Sequence, residues 1–216
     1  LELAERHGDK RRTAIVEREA AQALAATALV SSEPVTVVLS VGGWVRAAKG
    51  HEIDPAALSY KSGDSYLASA LGKSTQMAVF LDNSGRAYCL PAHALPSARG
   101  QGEPLTGRLN PAPGAGFRGV LIGEPAMHWL LASDAGYGFF VQLGELHSRN
   151  RAGKACLRVP DGGDVLIPAP FAGGEFPGKA LVAAVNSEGR LLVFPAADLP
   201  ELARGKGNKI FGISTR

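Results

Sequence analysis

One short pattern recurs along this chain and limits how it can fold: an apolar run, a four-residue turn that ends in glycine, and a second apolar run. The turn glycines are spaced 42, 51 and 53 residues apart. Glycine suits the last position of such a turn because it adopts a positive φ without strain. Each turn therefore predicts a β-hairpin. The four turns are Ser40-Val41-Gly42-Gly43, Asp82-Asn83-Ser84-Gly85, Ser133-Asp134-Ala135-Gly136 and Asn186-Ser187-Glu188-Gly189.

The hairpins predict an all-β protein built of repeated sheets. The first strands are expected at residues 35–39, 77–81, 129–132 and 181–185, and the second strands at 44–46, 86–90, 137–143 and 190–194. Repeats of 40 to 50 residues with about four short strands each are typical of propeller-like rings or stacked arrays of sheets. One such sheet cannot bury its apolar face alone, so neighbouring sheets must stack.

A short basic loop that contains glycine follows each of the last three hairpins. The loops span residues 97–102, 149–154 and 203–209, and their glycines Gly102, Gly153 and Gly207 follow the hairpin glycines by 17, 17 and 18 residues. A weaker counterpart, residues 60–64, follows the first hairpin. Equivalent positions in stacked repeats come out on the same rim, so a chain of net charge +3 can still present one strongly basic edge.

These loops point to phosphate binding. Their glycines would let backbone N–H groups approach phosphate oxygens, and no aromatic residue lies between the cations, which favours a duplex over stacked single strands. The first-rank candidates are the seven loop cations Arg99, Arg149, Arg151, Lys154, Arg204, Lys206 and Lys209. The second-rank candidates are the remaining cations near the turns, Arg46, Lys49, Lys61, Lys73, Arg86, Arg108 and Arg190.

The first thirty residues have a different texture. Residues 14–29 are rich in alanine, glutamate and leucine, lack glycine and proline, and carry an apolar stripe at helical spacing. Thr13 is a suitable N-cap and Pro34 follows the expected end. The sequence therefore predicts a lead-in segment with a short helix over residues 1–32 and a β-sheet domain over residues 33–216.

Other features argue against several protein classes. No apolar run reaches the roughly 18 residues of a membrane span, and a retained secretory leader is not expected. The cysteines, Cys89 and Cys156, lack metal-ligand spacing and fit buried positions in a cytoplasmic protein. No metal or other cofactor is expected in this domain.

Catalysis by this chain alone is not expected. Residues 72–75 read Gly-Lys-Ser-Thr, but the first glycine of a phosphate-binding loop is replaced by Leu67. Residues 63–65 resemble an esterase motif without a partner histidine near the end of the chain. The four tyrosines, Tyr60, Tyr66, Tyr88 and Tyr137, fall within the strands and turns and suit packing. A hydrolase is therefore a poor alternative, whereas a propeller-like adaptor that binds proteins by its rim stays open.

Long stretches of the chain resemble the C-terminal DNA-binding domain found in the A subunit of bacterial topoisomerase IV, a relative of the tail of the gyrase A subunit. Residues 8–13 are similar to the segment where that polypeptide leaves its breakage-and-reunion core. The other similar stretches are residues 32–36, 43–46, 48–51, 95–107, 132–138, 149–154 and 205–210.

The resemblance implies a β-pinwheel, a ring of about four to five four-stranded blades that exchange strands. It also implies sequence-independent binding of double-stranded DNA that positions the transported segment and senses how DNA segments cross. The parent enzyme would combine two A subunits with two ATP-hydrolysing B subunits, would bind ATP and magnesium on other domains, and would act at the nucleoid in the cytoplasm. Gyrase tails carry a basic box with tandem arginines, whereas residues 97–102 hold only Arg99, so decatenation and relaxation are expected rather than DNA wrapping.

Overall fold

A computed structural model describes residues 2–8, 31–171 and 176–211 of the 216-residue chain. Helix α1 spans Glu2–His7, with glutamates in its first turn and basic residues in its last, an order that complements the helix dipole. This helix was not predicted. The predicted helix over residues 14–29 and its cap Thr13 lie outside the described residues, so the division at residue 32 stays a prediction.

The rest of the described chain is β-strand, turn and loop, as predicted, apart from five 3-10 helices of three or four residues. These are Pro55–Ala57, Ala92–Ala94, Leu105–Gly107, Leu143–Leu146 and Ala196–Asp198. The strands are β1 (Pro34–Ser40), β2 (Trp44–Lys49), β3 (Tyr66–Lys73), β4 (Met77–Asp82), β5 (Arg86–Pro91), β6 (Glu103–Pro104), β7 (Phe117–Leu121), β8 (His128–Ser133), β9 (Tyr137–Gln142), β10 (Lys154–Ala155), β11 (Ala169–Pro170), β12 (Leu181–Val185), β13 (Leu191–Pro195) and β14 (Asn208–Lys209).

All four predicted hairpins are present and share one turn geometry. In each turn the glycine N–H donates to the carbonyl of the residue three positions earlier, at 3.0 Å. The glycine φ angles lie between 75° and 79°, a region that glycine enters without the steric cost other residues incur. A side-chain oxygen of Ser40, Asp82 or Asn186 also accepts the N–H four residues later, which closes three of the four turns.

Three sheets repeat one four-stranded plan. Their orders are β3-β1-β2-β6, β10-β5-β4-β7 and β11-β8-β9-β14. In each, the hairpin lies in the middle, the next strand of the same repeat pairs with the first hairpin strand, and the fourth strand arrives from beyond the following hairpin. Neighbouring sheets therefore exchange strands. The fourth hairpin, β12–β13, forms a two-stranded sheet within the described residues.

The core lies where successive sheets stack. Strand β3 contacts β7 of the next sheet. Phe117 on β7 meets Phe80 and Tyr88 edge to face, with ring centroids 6.4 and 5.6 Å apart. Tyr88 is fully buried, and its hydroxyl donates to Asp82 at 2.8 Å. Burial and the Asp82 carboxylate raise the pKa of Tyr88 to about 12, so this tyrosine packs as predicted.

Candidate nucleic-acid interface

The three basic loops that follow the last three hairpins deliver the exchanged strands. Each exchanged strand pairs with the hairpin of the repeat before its own, at the first two residues after the turn glycine. Strand β6 therefore pairs with the first hairpin, β10 with the second and β14 with the third. The shared register aligns the pairs Val45–Glu103, Ala87–Lys154 and Gly138–Asn208. The loops therefore occupy equivalent places, at the sheet edge opposite the strands β3, β7 and β11. We call them exchange loops 1, 2 and 3, residues 97–102, 149–154 and 203–209.

The glycine before each exchanged strand has a packing role that the sequence reasoning missed. A Cβ at Gly102 would lie 2.3 Å from the Val45 carbonyl oxygen, and one at Gly207 would lie 2.1 Å from the Gly138 carbonyl oxygen. At Gly153 the Cβ would lie 2.7 Å from the Tyr88 ring. The sequence suggests phosphate approach as the reason for these glycines. Their φ angles of 89°, 78° and 70° and these distances show instead that glycine is needed to dock the strand.

The arginines of the exchange loops face solvent. Arg99, Arg149, Arg151 and Arg204 are exposed, and none forms an ion pair with another described residue. Because no carboxylate among the described residues neutralises them, they retain full capacity to bind an anion.

Lys154 and Lys206 contact groups other than carboxylates. Lys154 Nζ donates to the Glu145 carbonyl oxygen at 2.6 Å. Lys206 Nζ lies 3.7 Å above the centre of the Tyr137 ring, a cation–π contact that keeps the charge at the surface. Lys209 is exposed on β14. The structure thus places all seven first-rank cations in or at the end of exchange loops.

Arg46, a second-rank candidate, does not belong with them. Its side chain is buried, with 4% of the residue exposed. Its Nη1 donates to the carbonyls of Ser59 and Gly100 at 2.8 and 3.1 Å, and its guanidinium lies 4.5 Å above the Tyr60 ring. This arginine ties exchange loop 1 to the first sheet and, being buried, is not part of the interface.

The other second-rank cations divide by their contacts. Arg86 stabilises exchange loop 2, because its guanidinium donates to the Ala152 and Gly153 carbonyls at 3.0 and 2.9 Å. Lys61 Nζ lies 3.5 Å above the Trp44 ring. Lys73 is exposed and forms no ion pair with the rest of the described chain. The remaining three are paired with carboxylates: Lys49 with Glu33 at 2.9 Å, Arg108 with Glu103 at 3.0 Å and Arg190 with Glu188 at 3.1 Å.

The weak first counterpart of these loops, residues 60–64, was wrongly aligned with them. It precedes β3, which is a long strand of its own repeat and not an exchanged one. Its Asp64 accepts hydrogen bonds from Ser40 Oγ at 2.6 Å and from the Gly42 N–H at 2.7 Å, which fixes the first hairpin turn. This loop therefore stabilises the first hairpin turn and does not deliver an exchanged strand to a described sheet.

Arg158, which was not among the sequence candidates, is an exposed cation beside an exchange loop. Arg158 forms no ion pair with any described residue, and its N–H donates to the Gly205 carbonyl at 2.8 Å. It therefore lies beside exchange loop 3, although it is more than forty residues earlier in sequence. No local pattern marks it, because its position depends on a contact between two repeats.

The remaining sequence motifs have structural explanations. Residues 72–75 form the end of β3 and the turn into β4, where Ser74 Oγ donates to the Ser31 carbonyl at 2.6 Å. A strand follows them instead of a helix, so they are not a phosphate-binding loop. In the portion of the chain that is described, no group of three or more potential metal ligands occurs. None of the described helices is long and apolar enough to cross a membrane.

Comparison with known proteins gives consistent matches. The chain is 57% identical over 210 residues to the A subunit of DNA topoisomerase 4 from Pseudomonas aeruginosa, covering 97% of this chain and 28% of that protein. It therefore spans little more than a quarter of the length of such relatives. The structure of the E. coli ParC C-terminal domain superposes with a TM-score of 0.74 at 49% identity, covering 84% of this chain and 73% of that one.

A more distant match agrees on the fold. The DNA gyrase A C-terminal domain covers 82% of this chain and gives a TM-score of 0.59 at 14% identity. The match covers 60% of the gyrase domain's chain. No protein-family model matches the sequence. Together with the exchanged strands, the solved structures identify the fold as a β-pinwheel.

Proposed function

The chain belongs to the family of C-terminal domains of topoisomerase IV A subunits, and from this premise we propose that it binds double-stranded DNA without reading its sequence. As an accessory domain it positions the DNA segment to be transported and senses the geometry of DNA crossings. It carries no chemistry of its own. Cleavage, ATP and magnesium belong to other parts of an enzyme built of two A and two B subunits, at the nucleoid in the cytoplasm.

One observation carries this proposal: exposed arginines recur on loops that occupy equivalent places in three successive sheets. Arg99, Arg149 and Arg204 each belong to a different exchange loop. Because the loops share one register, their charges form a series along one set of sheet edges. Such a series suits the phosphates of a duplex, which bind cations regardless of sequence.

The aromatic residues near the loops favour a duplex over a single strand. Single-strand binding needs open ring faces on which bases stack. The Trp44 and Tyr137 rings each have a lysine ammonium over one face, at 3.5 and 3.7 Å. Base stacking on those faces would displace the lysines, whereas phosphate contact leaves both in place.

The composition of exchange loop 1 supports relaxation and decatenation as the work of the parent enzyme. This loop holds a single arginine, Arg99, between small residues. Without tandem arginines the loop lacks the charge density that tight wrapping of DNA around the pinwheel requires.

A salt titration of duplex binding tests the proposal. If about seven cations each neutralise one phosphate, the logarithm of affinity should fall with the logarithm of salt at a slope near −6. The slope should be the same for duplexes of unrelated sequence. A flat salt response would refute the proposal.

A matched pair of double variants locates the interface. Arg149→Glu with Arg204→Glu reverses two unpaired cations on two exchange loops and should abolish measurable binding near physiological salt. Lys49→Glu with Arg190→Glu makes the same change in net charge at cations already paired with Glu33 and Glu188, so it should weaken binding much less. Intact duplex binding by the first variant, with folding preserved, would move the interface away from the exchange loops. Absence of duplex binding by the unaltered chain would favour the protein-binding adaptor instead.

A further inference from the structure

A small basic cavity lies where exchange loop 2 meets the preceding repeat. It has a volume of about 390 Å³ and is bounded by Cys89 and Leu90 of β5, by Arg108 and Leu109, and by residues 149–151. We propose that it holds one phosphate group of the DNA backbone and so fixes the register of the duplex on the domain. This inference rests on the proposed function and adds a specific phosphate site to it.

Arg108 is held in place for such a role. Its Nε donates to Glu103 at 3.0 Å and its Nη1 donates to the Ala94 carbonyl at 2.5 Å. Its Nη2 makes no hydrogen bond to a described residue. A guanidinium fixed at two nitrogens with a third one unused loses little conformational entropy when it binds an anion.

The opposite wall of the cavity is also fixed before any ligand arrives. The Asn110 N–H donates to the Arg151 carbonyl at 2.8 Å. The Ser148 N–H donates to Cys89 Sγ at 3.3 Å, and the same thiol lies 3.5 Å from the Leu146 carbonyl oxygen as a donor. These bonds hold the backbone on both sides of Arg149 and Arg151, so the two side chains start from a rigid loop.

The charges around the cavity favour an anion. Three arginines line it, and among the described carboxylates only that of Glu103 contacts one of them. Burial raises the pKa of the Cys89 thiol, so this lining residue of the cavity stays neutral at physiological pH. The planar forks of guanidinium groups match the oxygen pairs of a phosphate better than an ammonium does.

A pair of arginines separated by one residue occurs in exchange loop 2 alone among the three loops. The strand register aligns Arg149 with Ala98 and Ala203, and it aligns Arg151 with Gly100 and Gly205. Loops 1 and 3 therefore keep one arginine each, Arg99 and Arg204, at the position of Asn150. A general positive edge needs only scattered cations, whereas exchange loop 2 contributes two arginines to a cavity that a third arginine also lines.

Inorganic phosphate is a direct probe of the cavity. We expect a saturable shift of arginine side-chain N–H resonances when phosphate is titrated into the intact chain. The variant Arg149→Ala with Arg151→Ala should weaken this binding by roughly tenfold or more. The matched control Arg99→Ala with Arg204→Ala removes the same charge from the other two loops and should leave it unchanged. Equal phosphate binding by the two double variants would overturn the site.

A charge-preserving variant and a DNA titration complete the test. Arg149→Lys with Arg151→Lys keeps the charge but should still lose most phosphate binding; retention of full affinity would overturn the role of the guanidinium forks. On duplex DNA at one salt concentration, the Arg149 and Arg151 alanine variant should bind more weakly than the Arg99 and Arg204 control. If both bind duplex equally well, the cavity is not a DNA site although the proposed function stands. If the unaltered chain binds no duplex, the proposed function itself fails, whatever the phosphate titration gives.

Discussion

Strand exchange can be tested at two glycines that occupy the same position in different hairpins. Gly85 ends the second hairpin turn with φ of 77°, and Gly189 ends the fourth with φ of 76°. A Cβ at Gly85 would lie 1.9 Å from the Leu157 carbonyl oxygen, whereas a Cβ at Gly189 meets no described atom within 4 Å. Alanine at either position therefore suffers the same backbone strain, and only Gly85→Ala also obstructs the segment that follows β10.

The difference between the two variants follows from the contacts that Gly85 makes. Alanine at a left-handed position costs about 1 kcal/mol, and this is the whole expected effect of Gly189→Ala. At Gly85 the exchanged segment must also retreat by more than about 1 Å to restore normal carbon–oxygen contact. That retreat strains the hydrogen bonds from the Cys156 and Leu157 N–H groups to the Gly85 carbonyl, both 3.0 Å long, at about 1 kcal/mol each. Leu157 is also buried, with 3% exposed. Gly85→Ala should therefore reduce the free energy of unfolding by at least about 3 kcal/mol.

Urea denaturation of the intact chain and the two variants, followed by circular dichroism, measures these values. Hydrogen exchange adds a local readout, since Gly85→Ala should accelerate exchange of the Cys156 and Leu157 amides and Gly189→Ala should not. Equal destabilisation by the two variants would show that the segment after β10 does not dock on the second hairpin, and the exchange of strands between these sheets would have to be abandoned.

Three further predictions concern buried or paired side chains. Arg46→Ala should lower the free energy of unfolding by about 2–4 kcal/mol, because it strands two carbonyls and empties a buried site, yet it should leave the salt slope of duplex binding unchanged. Burial raises the pKa of Cys156 to about 12, so a thiol reagent at pH 8 should label this residue only after unfolding; stoichiometric labelling of the native chain would contradict its position. The pKa of Asp164 is lowered chiefly by its hydrogen bond with Arg118, despite partial burial. Its contribution to stability is therefore fully present above the ordinary aspartate pKa and is lost as the pH falls through the lower folded pKa. Asp164→Asn should therefore reduce stability at pH 7 by less than about 1 kcal/mol for this half-exposed pair and flatten the acid limb of the stability curve, measured against Asp161→Asn in the same loop.

The hairpins could be predicted from sequence because everything that specifies them is local. The strand Leu181–Val185 has the predicted bounds. Strand β2 was predicted to end at residue 46 but continues to Lys49, since its partner β1 keeps pairing as far as Val35 opposite Lys49. Such an extension depends on the neighbouring strand, which the residues of β2 alone do not reveal.

The exchanged strands could not be predicted as strands for the same reason. Glu103–Pro104, Lys154–Ala155 and Asn208–Lys209 are two residues long and show no alternation of apolar and polar side chains. Their pairing partners lie more than fifty residues earlier in sequence. The regular spacing of the glycines before these strands is visible in the sequence. Its cause is close contact with the preceding sheet, which only the tertiary structure shows.

In the candidate site, too, local sequence patterns predicted some residues, whereas tertiary contacts decided the place of others. The cations of the exchange loops were predicted by composition and spacing, and the structure places them at equivalent edges. Arg46 was grouped with them although it lies on β2, opposite Val38, with its guanidinium over the Tyr60 ring. A cation in a half-buried strand can point to either side of the sheet, and only its tertiary contacts decide which. Arg158 was missed because it becomes part of the edge through its contact with Gly205.

Within each exchange loop the fold constrains one residue and leaves its neighbours free to set the charge. Gly207 packs against the Gly138 backbone, where a Cβ would come within 2.1 Å, while Ala203 is exposed at the position that Arg149 occupies in loop 2. Ala203→Arg should therefore steepen the salt slope of duplex binding by about 0.9 without lowering the free energy of unfolding. Gly207→Ala, four residues later, should destabilise the domain and leave the slope of the remaining folded protein unchanged. If Ala203→Arg destabilised the domain as much as Gly207→Ala, packing would also constrain the position of Ala203. Exposure of a side chain would then not be enough to assign it to the interface.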